Sequence, residues 1–251
     1  MVLRDILKQI DELQNEINSY RPLSREILKQ LKEYYRIGLT YSSNAIEGNS
    51  LTESETKIVL EEGITIAGKP LKDHYEAMGH SEAFDYLFRL AKSKTISEKD
   101  ILNLHKLFYY RINRKMAGKY RKTGVFITGS EAVLPPPSKV KPLMSEFADK
   151  VLQLRKQYHP VEYAAVIHKD FILIHPFEDG NGRTSRLLMN LALIQGGYEI
   201  IIIPPVLKNE YIQALRLCDK GNDEMFIKLI AGLEIESQKD YLRLIRTMLQ
   251  K

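Results

Sequence analysis

"HKDFILIHPFEDGNGRTSR" (residues 168–186) joins two helical patterns through a loop, and this junction decides the architecture. Upstream, Ala164, Ile167, Phe171 and Ile174 recur at spacings of three and four, the signature of an amphipathic helix, which Pro176 must interrupt. Asp179, Gly180, Asn181 and Gly182 then form a tight loop of residues that accept positive φ. A second helix is expected from about Arg183, through Leu187, Leu188 and Leu191, toward Gly196 and Gly197.

The same periodicity extends outward in both directions. Leu3, Ile6, Ile10, Leu13 and Ile17 mark a first helix. Ser24 is placed to cap a second, whose apolar face runs Ile27, Leu31, Tyr34, Tyr41 and Ala45, with Gly38 as a weak point and Gly48 as its stop. Thr52 and Glu55 have the spacing of a capping box. Further helices are expected at about Tyr75–Ser93, Ser97–Phe108, Leu143–Tyr158, from Asn209 onward, and Met225–Gln250. One stretch breaks the pattern: "YRKTGVFITGSEAVLPPPSKV" (120–140) has a β-prone run, a Gly129-Ser130 turn and three prolines, which reads as a small hairpin. "EIIIIPPVL" (199–207) reads as a short extended segment or a buried loop. The expected fold is all-α, a helical bundle with a minor β-hairpin.

Composition narrows the function classes. The chain has 251 residues, 37 Lys and Arg against 32 Asp and Glu, and the resulting +5 is scattered, so a nucleic-acid partner is not expected. The single cysteine, Cys218, reads as a buried hydrophobe in a reducing compartment. No apolar run approaches the roughly 20 residues of a membrane span. A cytoplasmic protein with no membrane partner is expected.

Chemistry concentrates in the junction. A glycine-rich loop feeding a helix N-terminus presents free N–H groups and a positive dipole end, which favour an anion. Arg183 and Arg186 share a face of that helix's first turn, where cations are disfavoured unless a polyanion or an acid meets them. His175, at the helix-to-loop boundary, is placed as a general base, and Asp179 as a ligand for Mg²⁺ bridging phosphates. The spacing fits neither a Walker A loop nor a dinucleotide-binding glycine triplet. The residues themselves reach a polyphosphate site with an adjacent base.

"HPFEDGNGRTSR" (175–186) resembles the signature of the Fic (filamentation induced by cAMP) family, His-Pro-Phe-x-Asp/Glu-Gly-Asn-Gly-Arg-x-x-Arg, at every fixed position. "SSNAIEGN" is similar to that family's inhibitory motif, Ser/Thr-x-x-x-Glu-Gly/Asn, and the segment ending in "LPPP" to its flap. The resemblance implies a Fic-type helical bundle that transfers AMP from ATP, with Mg²⁺, to a Ser, Thr or Tyr hydroxyl of a target protein. It implies His175 as base, Asp179 as metal ligand, and Asp179, Gly180, Asn181, Gly182, Arg183, Thr184, Ser185, Arg186 and Tyr211 as nucleotide-binding residues. Arg183 would lie on the β side and Arg186 on the γ-phosphate. Asp219 stands where relatives often have Asn beside the adenine. The flap residues Val125, Phe126, Ile127, Thr128, Gly129 and Ser130 would dock the target by strand-like pairing. The implied division is residues 1–95, a helical region with the inhibitory helix ending at Gly48, and residues 96–251, a catalytic core with flap 120–140 and motif 175–186, packed as one unit.

Glu47 completes the expectation. An acid at a helix C-terminus faces the negative end of the dipole, a cost of roughly 0.3–1 kcal/mol if exposed. Paired with Arg186 it would occupy the place of the γ-phosphate, with Ser43 one turn back tying the helix to the loop. Other readings stay open: removal of AMP, transfer of another phosphate-containing group, or a non-catalytic nucleotide-binding regulatory module, which leaves His175 without a role. A zinc site on His168, Asp170, His175 and Asp179 is weaker, because His168 and Asp170 cannot share a helix face. Self-modification and a homodimer are further partner arrangements.

Overall fold

A computed structural model describes residues 2–93, 95–126 and 133–249. Among them are ten α-helices: α1 (Leu3–Ser19), α2 (Arg25–Ile46), α3 (Glu53–Glu62), α4 (Leu71–Leu90), α5 (Glu98–Tyr109), α6 (Pro137–Gln157), α7 (Pro160–Ile174), α8 (Asn181–Gly196), α9 (Lys208–Cys218) and α10 (Glu224–Leu249). No described residue is in a strand, so the expected hairpin is not seen. Its segment 127–132 lies outside the described residues. No described helix is long and apolar enough to cross a membrane.

The bundle is built around α8. Every residue from Arg183 to Leu193 is buried, so this helix has no solvent face and its two arginines must find partners inside. It packs most extensively on α7, with α4 and α5 on another side, while α10 covers α7 and carries α1. Cys218 is buried, as its apolar neighbours on α9 suggest.

Local signals explain the ends. Ser24 caps α2 by accepting from the Ile27 amide (3.3 Å), and Thr52 with Glu55 closes the capping box of α3. α2 runs unbroken through Gly38, because Ile202 packs where a side chain would stand: an added Cβ would be 2.8 Å from Ile202 Cδ1. Helix α6 begins six residues earlier than expected. Pro137 occupies its first position, where a missing N–H costs nothing, and the helix continues past Pro142. The isoleucine-rich segment after α8 needs no partner strand, since side chains satisfy its backbone. Asn190 donates to the Ile201 carbonyl (3.1 Å) and accepts from its amide (2.8 Å); Ser237 donates to Ile200, and Ser42 on α2 to Ile203.

Candidate active site

The loop between α7 and α8 is fixed before any ligand is considered. His175 caps α7 in the left-handed region (φ 50°), its amide still bonded to Phe171 (3.1 Å). Its Nδ1 lies 3.3 Å from the Ile172 carbonyl, an acceptor only, so Nδ1 carries the proton and Nε2 keeps its lone pair. Burial lowers its pKa below the ordinary histidine value, against the Ile172 carbonyl's opposing effect, and Arg121 lowers it further. The ring is therefore a neutral base. Asn181 closes the loop with both amide atoms, accepting from the Phe177 amide and donating to its carbonyl (2.9 Å each). Helix α8 thus starts at Asn181, two residues earlier than the sequence pattern suggests, and of the loop's four residues only Gly180 has positive φ (80°).

A cavity of about 520 Å³ opens above this turn. His175, Gly182 and Arg186 line its polar end, with Glu47 reaching in from α2; Tyr211 and Asp219 border the part walled by Ile172, Leu173, Ile212 and Leu215. An added Cβ at Gly182 would collide with Glu47 and stand 3.1 Å from Arg186 Nη1, so only glycine permits this approach. Asp179 sits at the N-terminal mouth of α8, its side chain 45% exposed; Oδ1 accepts from the Gly180 amide (2.6 Å) and Oδ2 from the Tyr109 hydroxyl (3.3 Å).

The remaining motif residues point elsewhere. Thr184 and Ser185 are fully buried, and Ser185 donates to the Gly182 carbonyl (2.8 Å). Arg183 is buried over the Phe108 ring (4.3 Å), paired with Glu76 (2.7 Å) and Asp179 (3.3 Å). Arg186 is held by three groups of α2 and one of α9. Nε donates to Ser43 Oγ (2.9 Å), Nη2 to the Ser43 carbonyl and Glu47 Oε1 (2.8 Å each), and Nη1 to the Tyr211 hydroxyl (3.4 Å). Burial pushes the Glu47 carboxyl up, but Arg186 and Arg183 outweigh it and hold Glu47 below the ordinary carboxylate value. The Tyr211 hydroxyl in turn is hydrogen-bonded with His168 Nε2 (2.8 Å), which also meets Ser185 Oγ (3.1 Å); burial, then Arg186, keep His168 neutral, with its pKa well below the ordinary value. His168 serves this chain of contacts rather than a metal, and the described residues hold no cluster of three or more candidate metal ligands.

Four supporting residues had no distinct sequence signal. His105 on α5 accepts the Gly118 amide at Nδ1 (2.9 Å) and so donates from Nε2 to the Asp179 carbonyl (3.1 Å), its ring stacked on Phe177 at 3.7 Å. Tyr109 beside it meets the Asp179 side chain. Buried Arg121 donates to the carbonyls of His175 (2.8 Å), Thr123 (3.3 Å) and Pro135 (2.5 Å), strapping both shoulders of the expected flap to the base. Glu76 on α4 is the fourth. Of the flap itself, Val125 and Phe126 are described, in coil, with Phe126 88% exposed; Ile127, Thr128, Gly129 and Ser130 lie outside the described residues.

Comparison with known proteins places this geometry. Residues 95–193 match the Fic/DOC family. A protein adenylyltransferase Fic of Nematostella vectensis is 35% identical over 231 residues, 91% of this chain and 53% of that protein. One of Drosophila grimshawi is 35% identical over 238 residues, 94% of this chain and 49% of that protein. The chain thus spans about half the length of these relatives. Among solved structures, Fic-1 (residues 134–508) from C. elegans superposes with TM-score 0.90 at 29% identity, covering 98% of this chain and 73% of that one. A Fic domain-containing signalling protein from Bacteroides thetaiotaomicron gives 0.88 at 28%, covering 95% and 98%.

Proposed function

We propose that this chain, which carries a Fic/DOC family domain, is a protein adenylyltransferase. It would transfer AMP from ATP to a Ser, Thr or Tyr hydroxyl of a protein and release pyrophosphate. The observation that carries the reading is a basic nitrogen facing a phosphate-type cradle across one cavity. His175 keeps its Nε2 lone pair while Gly182, at the start of α8, and Arg186 line the same space. Relatives that bear the adenylyltransferase name match nine-tenths of the chain.

In this reading the acceptor hydroxyl loses its proton to His175 Nε2 as its oxygen attacks the α-phosphorus. The bond from that phosphorus to the pyrophosphate oxygen breaks on the far side. The α8 N-terminus and Arg186 stabilise charge on the phosphates. Asp179 fits Mg²⁺ bound chiefly through phosphate oxygens, a common arrangement with one or two carboxylates, because its partly exposed carboxylate stands at the mouth of the same helix. Mg²⁺ held there would screen phosphate charge. The flap, Val125–Ser130, would present the acceptor segment. The acceptor is another protein or this chain itself, in the cytoplasm, where a lone buried thiol is ordinary.

The proposal includes self-restraint. Glu47 and Ser43 hold the guanidinium that a γ-phosphate would need. Residues 1–95 then form the regulatory region and 96–251 the catalytic core. The test uses ATP labelled at the α-phosphate, offered to lysate with the Glu47→Gly chain. Label is expected on protein, well above the level with the unaltered chain. Adding His175→Ala should cut transfer by about 10²–10⁴-fold while ATP binding, measured by calorimetry, persists. Undiminished labelling would remove His175 from the base role.

A further inference from the structure

One carboxylate touches both the phosphate loop and the end of the restraining helix. Glu76, buried on α4, pairs through Oε1 with Arg183 Nη1 (2.7 Å) and accepts at Oε2 from Asn49 Nδ2 (2.9 Å). Asn49 stands two residues beyond Glu47, across the single pivot of Gly48 (φ 96°). The same turn of α4 holds the next residue as well: Asp73 Oδ2 accepts from the amide (2.8 Å) and hydroxyl (2.6 Å) of Ser50. The segment that fixes where Glu47 ends up is therefore registered against α8 through Glu76.

We propose that Glu76 is a positioning residue that sets the hold of Glu47 on Arg186, by clamping Asn49 in fixed relation to Arg183. The proposal rests on the reading of Glu47 as the restraint on AMP transfer. The ion pair with Arg183 uses the charge and one oxygen of the carboxylate, and the hydrogen bond from Asn49 uses the other oxygen. A glutamine has one accepting oxygen and one donating nitrogen, so it must meet either Asn49 or Arg183 donor to donor. Asn49 cannot turn over to compensate. Its Oδ1 accepts from the Leu51 amide (3.0 Å), and its Nδ2 also donates to the Asp73 carbonyl (3.0 Å). The charged guanidinium is the stronger claimant on the one remaining oxygen, so the contact with Asn49 is the one that yields.

The experiment measures AMP labelling and melting temperature for Glu76→Gln, Asn49→Ala, Glu47→Gly, and Glu76→Gln combined with Glu47→Gly. Glu76→Gln is expected to raise labelling about tenfold, the scale of one lost charged hydrogen bond. It should add nothing in the Glu47→Gly background, where there is no restraint left to loosen. Asn49→Ala, which removes the contact with Glu76 together with those to the Asp73 carbonyl and the Leu51 amide and leaves the Glu76–Arg183 pair in place, should raise labelling at least as much, and it stands in if Glu76→Gln fails to fold. A role confined to structure lowers labelling and melting temperature together and overturns the proposal. An equal rise in both backgrounds also overturns it, since Glu76 would then act on Arg183 alone. If Glu47→Gly itself fails to raise labelling, the reading of Glu47 falls, and the proposal with it; if Glu47→Gly rises and Glu76→Gln does not, only the proposal falls.

Discussion

Arg183 and Arg186 stand one turn apart on α8, and each meets one carboxylate from another helix at nearly the same distance, 2.7 Å to Glu76 and 2.8 Å to Glu47. The surroundings differ. The Arg183 pair is closed off, with side chains 3% and 6% exposed, and Arg183 lies on an aromatic ring beneath the loop. In the Arg186 pair the arginine is just as buried, but Glu47 is 34% exposed and borders the cavity. A buried ion pair is held less by its own attraction than by the cost of leaving either charge uncompensated. A carboxylate with access to water escapes that cost by moving. The same two residue types thus make a closed pair at one turn of the helix and, in the proposed reading, a releasable one at the next.

Removing each arginine puts that difference under the greatest strain. Arg183→Ala leaves Glu76 buried without its guanidinium and should cost about 3–5 kcal/mol of stability. Arg186→Ala frees Glu47 to turn into solvent but leaves the Ser43 carbonyl without that donor, and should cost less, roughly 2–3 kcal/mol. Urea unfolding of the two variants, read by circular dichroism, measures both. Equal losses would break the comparison.

The two sides also differed in how far the sequence revealed them. Glu47 is legible because it sits at the C-cap of α2, the wrong end of a helix for an acid, and Arg186 because the sequence pattern puts it near the start of α8, the wrong end for a cation, although with the helix beginning at Asn181 it lies in the second turn. Each misplacement is a local fact that one chain segment displays. Glu76 and His105 lie inside α4 and α5, where an acid or a histidine is unremarkable; only the packing of those helices on α8 brings them to the loop. The helical fold was legible for the same local reason, periodicity, and the loop because its residues are contiguous. Within the 120–140 segment "LPPP" suggests the close of a hairpin, and in the structure Pro136 caps α6 and Pro137 starts it, a role that fixed φ suits equally well.

Acid should separate the two sides by a smaller margin. Burial lowers the His105 pKa to about 4 against the Asp179 carbonyl's opposing effect. A histidine depressed in the folded state supports folding above its unfolded value near 6.5 and loses that support as pH falls toward the folded value. At pH 5 His105 alone should withdraw ~2 kcal/mol. Glu47 responds in the same direction but in a lower window: its folded pKa lies below the unfolded 4.5, so its contribution is intact above 4.5 and fails only as pH drops through the lower value. Between pH 7 and 5 the floor of the loop should weaken while the Glu47–Arg186 contact holds. Calorimetric melting at pH 7, 6 and 5 should show a falling midpoint, a shallower fall for His105→Phe, and no rise in basal labelling.

The smallest effect tests whether the release is one contact or several. Arg186 is bound to α2 by the Ser43 hydroxyl, the Ser43 carbonyl and Glu47. Ser43→Ala deletes the first alone. The carbonyl is backbone and stays, and the Glu47 carboxylate keeps its charge, so the guanidinium remains seated with one N–H unmatched. A hydrogen bond to a charged group, with two others still holding the geometry, is worth about 1 kcal/mol here. Labelling should therefore rise about fivefold, clearly below the rise from Glu47→Gly. A rise equal to that of Glu47→Gly would mean the hydroxyl, not the carboxylate, governs release, and the open side of α8 would then owe its behaviour to a neutral hydrogen-bonding group rather than to a charge with access to water.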